Sequence, residues 1–368
     1  MIKTGALIIG AGPAGLCAAI EAGKAGIETL VLERAHVLGG QLVKQTHMFF
    51  GSEKQYAATR GLDIAGILLA ELGGMKNVRI HTNATVLGAY DDGIWTAEID
   101  GKYEKILPEA VICATGASEK TFPFPGNDLP GIYGAGAVQT LMNQYGVKPA
   151  ESVLMLGAGN IGLIVSYQLV QAGVKVHAVV EGAPVIGGYL VHASKLRRMG
   201  VPILTSHSVK AAHGKDRLEA VTIWELDPNW QGIPCTERTF VTDTLCVSVG
   251  LSPLTELMRQ AGAAMAHVPA LGGHVPYRDD DQRTSVENIF VAGDAAGVEE
   301  ASSAMVEGYL AGLSAAAYLG KMPDGFEAKR KDLLGQLESL RKSDACQGLR
   351  DGLKKAHMNK GEGVEGKC

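Results

Sequence analysis

No two of the six cysteines, Cys17, Cys113, Cys235, Cys246, Cys346 and Cys368, are spaced C-x-x-C, and the ten histidines show no ligand spacing. Neither a zinc site nor an iron–sulfur cluster is evident in such a pattern, so no metal ligand is assigned. Cys17, Cys113 and Cys246 fall in apolar helix or strand patterns, where a small buried thiol is the ordinary state. No run of about 18 apolar residues suggests a membrane span. There is no long basic block either, and with a net charge of −5 this argues against nucleic acid as a partner. Lys3 before an apolar stretch imitates a signal peptide, but a glycine turn interrupts the stretch, and the chain reads as cytoplasmic. What remains is an ordinary globular composition, 46% hydrophobic and 20% charged. Its 368 residues suggest two or three domains.

What the chain does have, it has twice. Gly10, Gly12 and Gly15 follow the apolar run Ala6 to Ile9, and Gly157, Gly159 and Gly162 follow Val153 to Leu156. Each turn feeds a helix ending near Gly26 or Gly173, then an apolar strand, Thr29 to Leu32 or Lys175 to Val180, that stops at Glu33 or Glu181. The exit loops echo each other, with Glu33, Ala35, Val37, Leu38, Gly39 and Gly40 answered by Glu181, Ala183, Val185, Ile186, Gly187 and Gly188. Repetition of this kind points to two copies of one domain. In such a turn the first glycine makes the strand-to-helix bend, the second lets backbone approach a pyrophosphate, and the third lets helix lie on strand. The diphosphate then meets unpaired N–H groups at a helix N-terminus. Glu33 and Glu181 suit ribose hydroxyls and would repel a ribose phosphate. NADH rather than NADPH is expected at the second turn, because Gly182, Ala183 and Pro184 bring no arginine and Arg197 and Arg198 read as solvated helix residues.

Between these units the pattern predicts a helix over about Asp63 to Leu72, strands Thr85 to Tyr90 and Ile94 to Ile99 about a hairpin at Asp91 to Gly93, and a strand Ala110 to Ala114. The proline-rich stretch Phe122 to Pro130 reads as a domain crossing. A second meander leads to a closing strand, Thr244 to Val249, that ends at Gly250. Further on, the apolar strand Asn288 to Ala292 ends in Gly293-Asp294, ahead of a helix from about Ser303 to Leu319. An aspartate there either accepts from a flavin ribityl hydroxyl or caps the following helix. In the first case the positive end of the helix would stabilise the reduced flavin ring. The expected fold class is α/β, with two Rossmann-like three-layer dinucleotide-binding domains, each with a small antiparallel β-meander.

These landmarks resemble the flavoproteins with two dinucleotide-binding domains, of which thioredoxin reductase is the familiar small member. The resemblance covers about residues 1 to 320. It implies FAD and NAD as cofactors, with the NAD domain (118–251) inserted in a split FAD domain (1–117 and 252–320) and a helical tail over 321–368. Gly10, Gly12, Gly15, Glu33, Gly40, Gln41, Gly116 and Asp294 match FAD positions, with Arg34, Thr115, Gly293, Ser303 and Ala304 adjoining them. Gly157, Gly159, Gly162 and Glu181 match nicotinamide-cofactor positions, with Asn160, Ile161 and Gly250 beside them. Both places where that family carries its redox disulfide, Gly134 to Tyr145 and Gly39 to Thr46, lack cysteine here. A dithiol relay needs two sulfurs close enough to bond, so disulfide reduction is not expected unless Cys346 or Cys368 in the tail acts with a partner.

A finer resemblance rests on Pro130 to Thr140, Asn143 to Val147, and Ala301 to Met305 ahead of Glu307-Gly308. These look like alpha subunits of multisubunit amine and imino acid oxidoreductases: sarcosine oxidase, dye-linked proline dehydrogenase, opine oxidase and hydrogen cyanide synthase. The resemblance implies a hetero-oligomer with a second flavoprotein subunit, with an iron–sulfur protein as a further partner. Alternatives are a homodimeric NADH-dependent reductase serving ferredoxin, quinone or oxygen, and a structural subunit that binds nucleotide without turnover. Hydride would pass between nicotinamide and flavin by stacking, so no catalytic acid or base is assigned. Lys44, Thr46 and His47, in the loop Gln41 to Phe50, are candidate polar contacts to the flavin, with surface exposure as the alternative. In the tail, Leu333, Leu334, Leu337, Leu340, Leu349 and Leu353 form an apolar stripe that would dock a partner or pack back on the FAD domain. Lys360 to Cys368 reads as a mobile end.

Overall fold

The computed structural model describes residues 1–358, and the expectation for Lys360 to Cys368 lies outside them. The chain forms two compact units, Met1–Ser118 with the segment from Ser252 onward, and Glu119–Leu251. Each is α/β.

In the first unit a seven-stranded sheet runs in the order Val78–His81, Thr29–Leu32, Ile2–Ile9, Lys102–Cys113, Trp95–Ile99, Ala84–Ala89, with Ile289–Val291 also on Lys102–Cys113. The sequence pattern placed a strand only at Ala110 to Ala114, and the structure corrects this by extending it back to Lys102. Lys102–Cys113 is one strand that serves two sheets' worth of pairing. Its first half takes Trp95–Ile99 antiparallel, with Trp95 opposite Ile106. Its second half takes Ile289–Val291 parallel, with Ile289 opposite Val111. Pro108 falls in the gap between those two partners. Burial shifts along the strand from half-exposed to continuous over Ala110 to Cys113, as a parallel strand covered on both faces requires.

Helices Pro13–Lys24 and Ala301–Tyr318 lie against each other on this sheet, backbone to backbone. A Cβ at Gly308 would stand 2.1 Å from the Ala14 carbonyl oxygen, and one at Gly312 would stand 2.4 Å from that of Ala18. The next helix, Phe326–Leu340, packs on the outer side of Ala301–Tyr318, with Leu333 and Leu337 buried among Val306, Leu310 and Leu313. Leu349 and Leu353 of Gln347–Lys355 pack on the cluster of Val268, Leu271 and Val275. Of the leucine stripe, Leu333 and Leu337 are buried on their own unit, and Leu334, Leu340, Leu349 and Leu353 are partly buried on it.

The second unit holds a five-stranded parallel sheet, ordered Ile203–Leu204, Lys175–Val180, Ser152–Leu156, Thr244–Val247, Ile132–Gly134. Its meander, His207–His213, Ala220–Glu225 and Arg238–Val241, is a separate sheet. The proline-rich stretch Phe122 to Pro130 is no crossing. Phe124 is buried with Leu154, Val180 and Leu245 in this unit's core, and the Ala212 and Leu218 amides bond the carbonyls of Pro125 and Pro130 at 2.9 and 2.8 Å. Among the described residues no helix is long and apolar enough to cross a membrane, and no cluster of three or more metal-ligating side chains forms.

Candidate functional site

The two glycine turns have the same construction. Gly10 and Gly157 hold φ of +100° and +107°, and a Cβ there would strike the carbonyl oxygens of Ala114 and Ser248 at 2.3 and 2.0 Å. A Cβ at Gly15 or Gly162 would strike the Gly10 or Gly157 carbonyl oxygen at 1.9 or 2.1 Å. First and third glycines are therefore demanded by the fold itself. The second ones are not: beside Gly12 the nearest atom to a Cβ is the Gly40 Cα at 3.9 Å, and beside Gly159 nothing lies within 4 Å. Both residues are helix N-caps, and as glycines they supply no side-chain acceptor to the first turn. Room for backbone approach and an open helix N-terminus coincide at the position where a diphosphate needs them.

The acids do more than the spacing implied. Glu33 Oε2 accepts from the Ala11 amide and Oε1 from the Ala35 amide, both at 2.8 Å. Glu181 repeats this with Ala158 at 2.8 Å and Ala183 at 2.9 Å. Each carboxylate thus pins the glycine turn to the exit loop, and each oxygen keeps a lone pair for a ribose hydroxyl. Arg34 beside Glu33 is exposed, as are Arg197 and Arg198 in the helix Leu190–Arg198. The sequence reading did not single out Trp230, which is 62% exposed at φ +63° and packs its ring on Gly182, next to Glu181.

The exit loops agree less well than their sequences. Gly40 and Gly188 both press on the second glycine of their turn, but the amide that bonds the turn belongs to Gly39 in one copy and Gly188 in the other. The backbones then part, into a short 3-10 turn at Gly40–Lys44 and into a loop where the Tyr189 amide bonds Asn160 Oδ1 at 2.8 Å before Leu190–Arg198. Gln41 is exposed, Lys44, Thr46 and His47 are half-buried, and Ile161 is exposed beside its turn.

In the first unit the far segment closes on the same helix end. A Cβ at Gly293 would lie 2.9 Å from that of Ala14, so the Gly293–Asp294 turn abuts the first turn of Pro13–Lys24. Asp294 is not the cap of the next helix. That helix is Ala301–Tyr318, its N-cap is Glu300 without a side-chain cap bond, and Ser303 and Ala304 are buried in its first turn. The Asp294 carboxylate accepts the Glu299 amide at 3.3 Å. Burial pushes its pKa up to about 6, and the neighbouring Glu307 and Glu299 charges add to the rise. Thr115 bonds the Leu254 carbonyl at 2.6 Å, and Gly116 and Gly250 hold φ of +74° and +115° after the closing strands. The structure thus brings Gly10, Gly12, Gly15, Glu33, Gly40, Gly293 and Asp294 together in one unit, and Gly157, Gly159, Asn160, Gly162 and Glu181 in the other. Sequence reasoning used Glu307 only as a mark of resemblance and gave it no role, although it is the one charged residue of Ala301–Tyr318.

Residues 5–308 match the model of the pyridine nucleotide-disulphide oxidoreductase family. The chain is 31% identical to an opine oxidase subunit of Agrobacterium tumefaciens (strain Ach5), over 85% of this chain and 65% of that relative, so it spans just under two thirds of the relative's length. It is 27% identical to hydrogen cyanide synthase subunit HcnB of Pseudomonas protegens, over 84% of this chain and 69% of that relative. In fold it resembles T. acidophilum thioredoxin reductase, with a TM-score of 0.71 at 21% identity, covering 86% of this chain and 99% of that one. With this fold, these two turns and a family match over most of its length, the chain belongs to the pyridine nucleotide-disulphide oxidoreductases.

Proposed function

We propose that the chain is the electron-transfer subunit of an amine or imino acid dehydrogenase complex, holding FAD in the first unit and NAD(H) in the second. The observation that carries this reading is the space at Gly12 and Gly159, the one glycine in each turn that packing does not require. Gly12, Glu33, Gly40 and Asp294 would hold the FAD diphosphate, adenosine ribose and ribityl chain, and Gly159 and Glu181 the diphosphate and ribose of NAD(H). Bound together, the two cofactors supply hydride transfer between nicotinamide and isoalloxazine. The protein's share is orientation. The open N-termini of Pro13–Lys24 and Asn160–Gln171 fix the diphosphates, and Glu181 disfavours a ribose phosphate.

Transfer without a dithiol relay is part of the proposal. Cys17, Cys113 and Cys246 are buried, and burial raises each thiol pKa, that of Cys113 to about 12, which keeps it from the thiolate state that disulfide chemistry needs. The relatives' names as oxidase and synthase subunits favour a heteromer over a freestanding reductase. Anaerobic addition of NADH to the purified holoprotein tests the central claim: the flavin absorbance bleaches, whereas a flavin that stays oxidised refutes direct NADH use. Native purification tests the partner, a stable heteromer with amine-driven flavin reduction being the expected result and a monodisperse homodimer reducing ferredoxin the contrary one.

A further inference from the structure

Glu307 is almost wholly buried, and the bonds around it lead to the flavin turn. Its Oε2 accepts the Gly293 amide at 2.9 Å, while Oε1 accepts Arg278 Nη2 at 2.8 Å and Arg341 Nη2 at 2.6 Å. Arg341 also holds Glu299, from Nε to Oε2 at 2.9 Å and from Nη2 to Oε1 at 2.7 Å. The Glu299 amide in turn bonds the Asp294 carboxylate. One guanidinium therefore ties the two acids that flank the Gly293–Asp294 turn, one reaching Gly293 through its side chain and the other reaching Asp294 through its backbone.

Arg341 is delivered by the segment that follows Ala301–Tyr318, and that segment is anchored on the first unit. It follows directly on Phe326–Leu340, which is anchored by Leu333 and Leu337 and by pairs of Lys54 with Asp332 at 2.6 Å and of Arg330 with Asp281. Arg278 donates to the Ala296 carbonyl, and its own backbone is clamped by the tail, through the Ala356 carbonyl at 3.0 Å and the Met358 amide at 2.9 Å. Around Asp294 the charges are thus Glu299 and Glu307 against Arg278 and Arg341, while the first turn of Pro13–Lys24, which abuts Gly293, brings Ala14 and no charge.

We propose that Arg341 is a positioning residue for the flavin: by bridging Glu299 and Glu307 it sets the Gly293–Asp294 turn and keeps the Asp294 carboxylate available as acceptor for a ribityl hydroxyl. This rests on the flavin reading above. Without Arg341, three buried or half-buried carboxylates face one guanidinium, and proton uptake is the easiest relief. Without the Glu299 charge the balance tips the other way.

The test is a pH titration of FAD release from the holoprotein, followed by the fluorescence of freed flavin, with melting temperature measured alongside. Retention requires the ionised carboxylate, so FAD is lost as pH falls through a midpoint. Arg341→Met is expected to move that midpoint up by about one pH unit, equivalent to about tenfold weaker binding at a fixed pH below it, and Glu299→Gln to move it down. Leu337→Ala, which loosens the same helix without touching charge, lowers the melting temperature and leaves the midpoint in place. Arg341→Met and Glu299→Gln moving the midpoint in the same direction, or not at all, would overturn the proposal. Should Arg341→Met fail to fold, a Glu299→Gln midpoint that does not fall overturns it alone. A wild-type protein that holds no FAD at any pH refutes the flavin reading itself.

Discussion

Gly159→Ala separates a glycine kept for a ligand from one kept for the fold. At Gly159 φ is −71° and ψ 176°, extended backbone open to any residue, and an added Cβ meets no atom within 4 Å. Two small effects on stability oppose each other. Alanine is a poorer N-cap than glycine by about 0.5–1 kcal/mol, while the stiffer unfolded chain returns about 0.4–1 kcal/mol. The variant should therefore melt with the wild type to within about 1 kcal/mol by the same two estimates. With NADH bound, the methyl occupies the approach of the diphosphate, and overpacking of this size costs about 1–3 kcal/mol. That corresponds to about 5- to 150-fold in Kd. Calorimetric NADH binding and the ligand-induced rise in melting temperature, which shrinks as affinity falls, read the two effects separately. Gly162→Ala is the contrast. Its Cβ would sit 2.1 Å from the Gly157 carbonyl oxygen, so the unit should be destabilised whether or not nucleotide is present. A Gly159→Ala protein that binds NADH as the wild type does, or that fails to fold, would refute the reasoning.

Four further outcomes rest on the same geometry. Glu181→Gln leaves one of the Ala158 and Ala183 amides facing an NH2 group, so melting should show a loss of about 1–3 kcal/mol and the preference for NADH over NADPH should narrow in binding assays. Leu333→Ala should lower unfolding free energy by about 2–5 kcal/mol in denaturant titration, since its side chain is buried between Phe326–Leu340 and Ala301–Tyr318. The native Asp294 carboxyl holds its proton up to about pH 6, against an ordinary 3.8, so this group's contribution to apoprotein stability is largest at low pH and falls as pH rises through about 6. FAD retention runs oppositely, rising through that range, and a pH-independent Kd between about 5 and 7, one unit either side of that value, would contradict it. Under native conditions a thiol reagent should modify exposed Cys235 quickly and spare Cys17, Cys113 and Cys246 until the chain unfolds, which mass spectrometry resolves by site.

Much of the site was legible because its constraints are local. A left-handed φ at Gly10 or Gly157 and a carbonyl within bonding range of the third glycine are conditions on a handful of consecutive residues, and only glycine meets them. An acid at the end of the next strand is a short count away, and Thr29–Leu32 and Lys175–Val180 lie where their apolar runs predicted. Those features, and the doubling of the domain, were determined by the sequence alone. What local pattern could not carry, the tertiary structure decided. Lys102–Cys113 is one strand because two partners far apart in the chain share its edge. Phe124, in the stretch Phe122 to Pro130, is core because it found a sheet that sequence spacing does not reveal. The exit loops slide by one residue because the segments after them pack differently. Arg341 reaches Glu307 across 34 residues, and nothing in a charged amphipathic helix says which of its cations will be buried. Pairings of that kind are chosen by burial and desolvation between distant segments, energies that exist only once the chain has closed on itself.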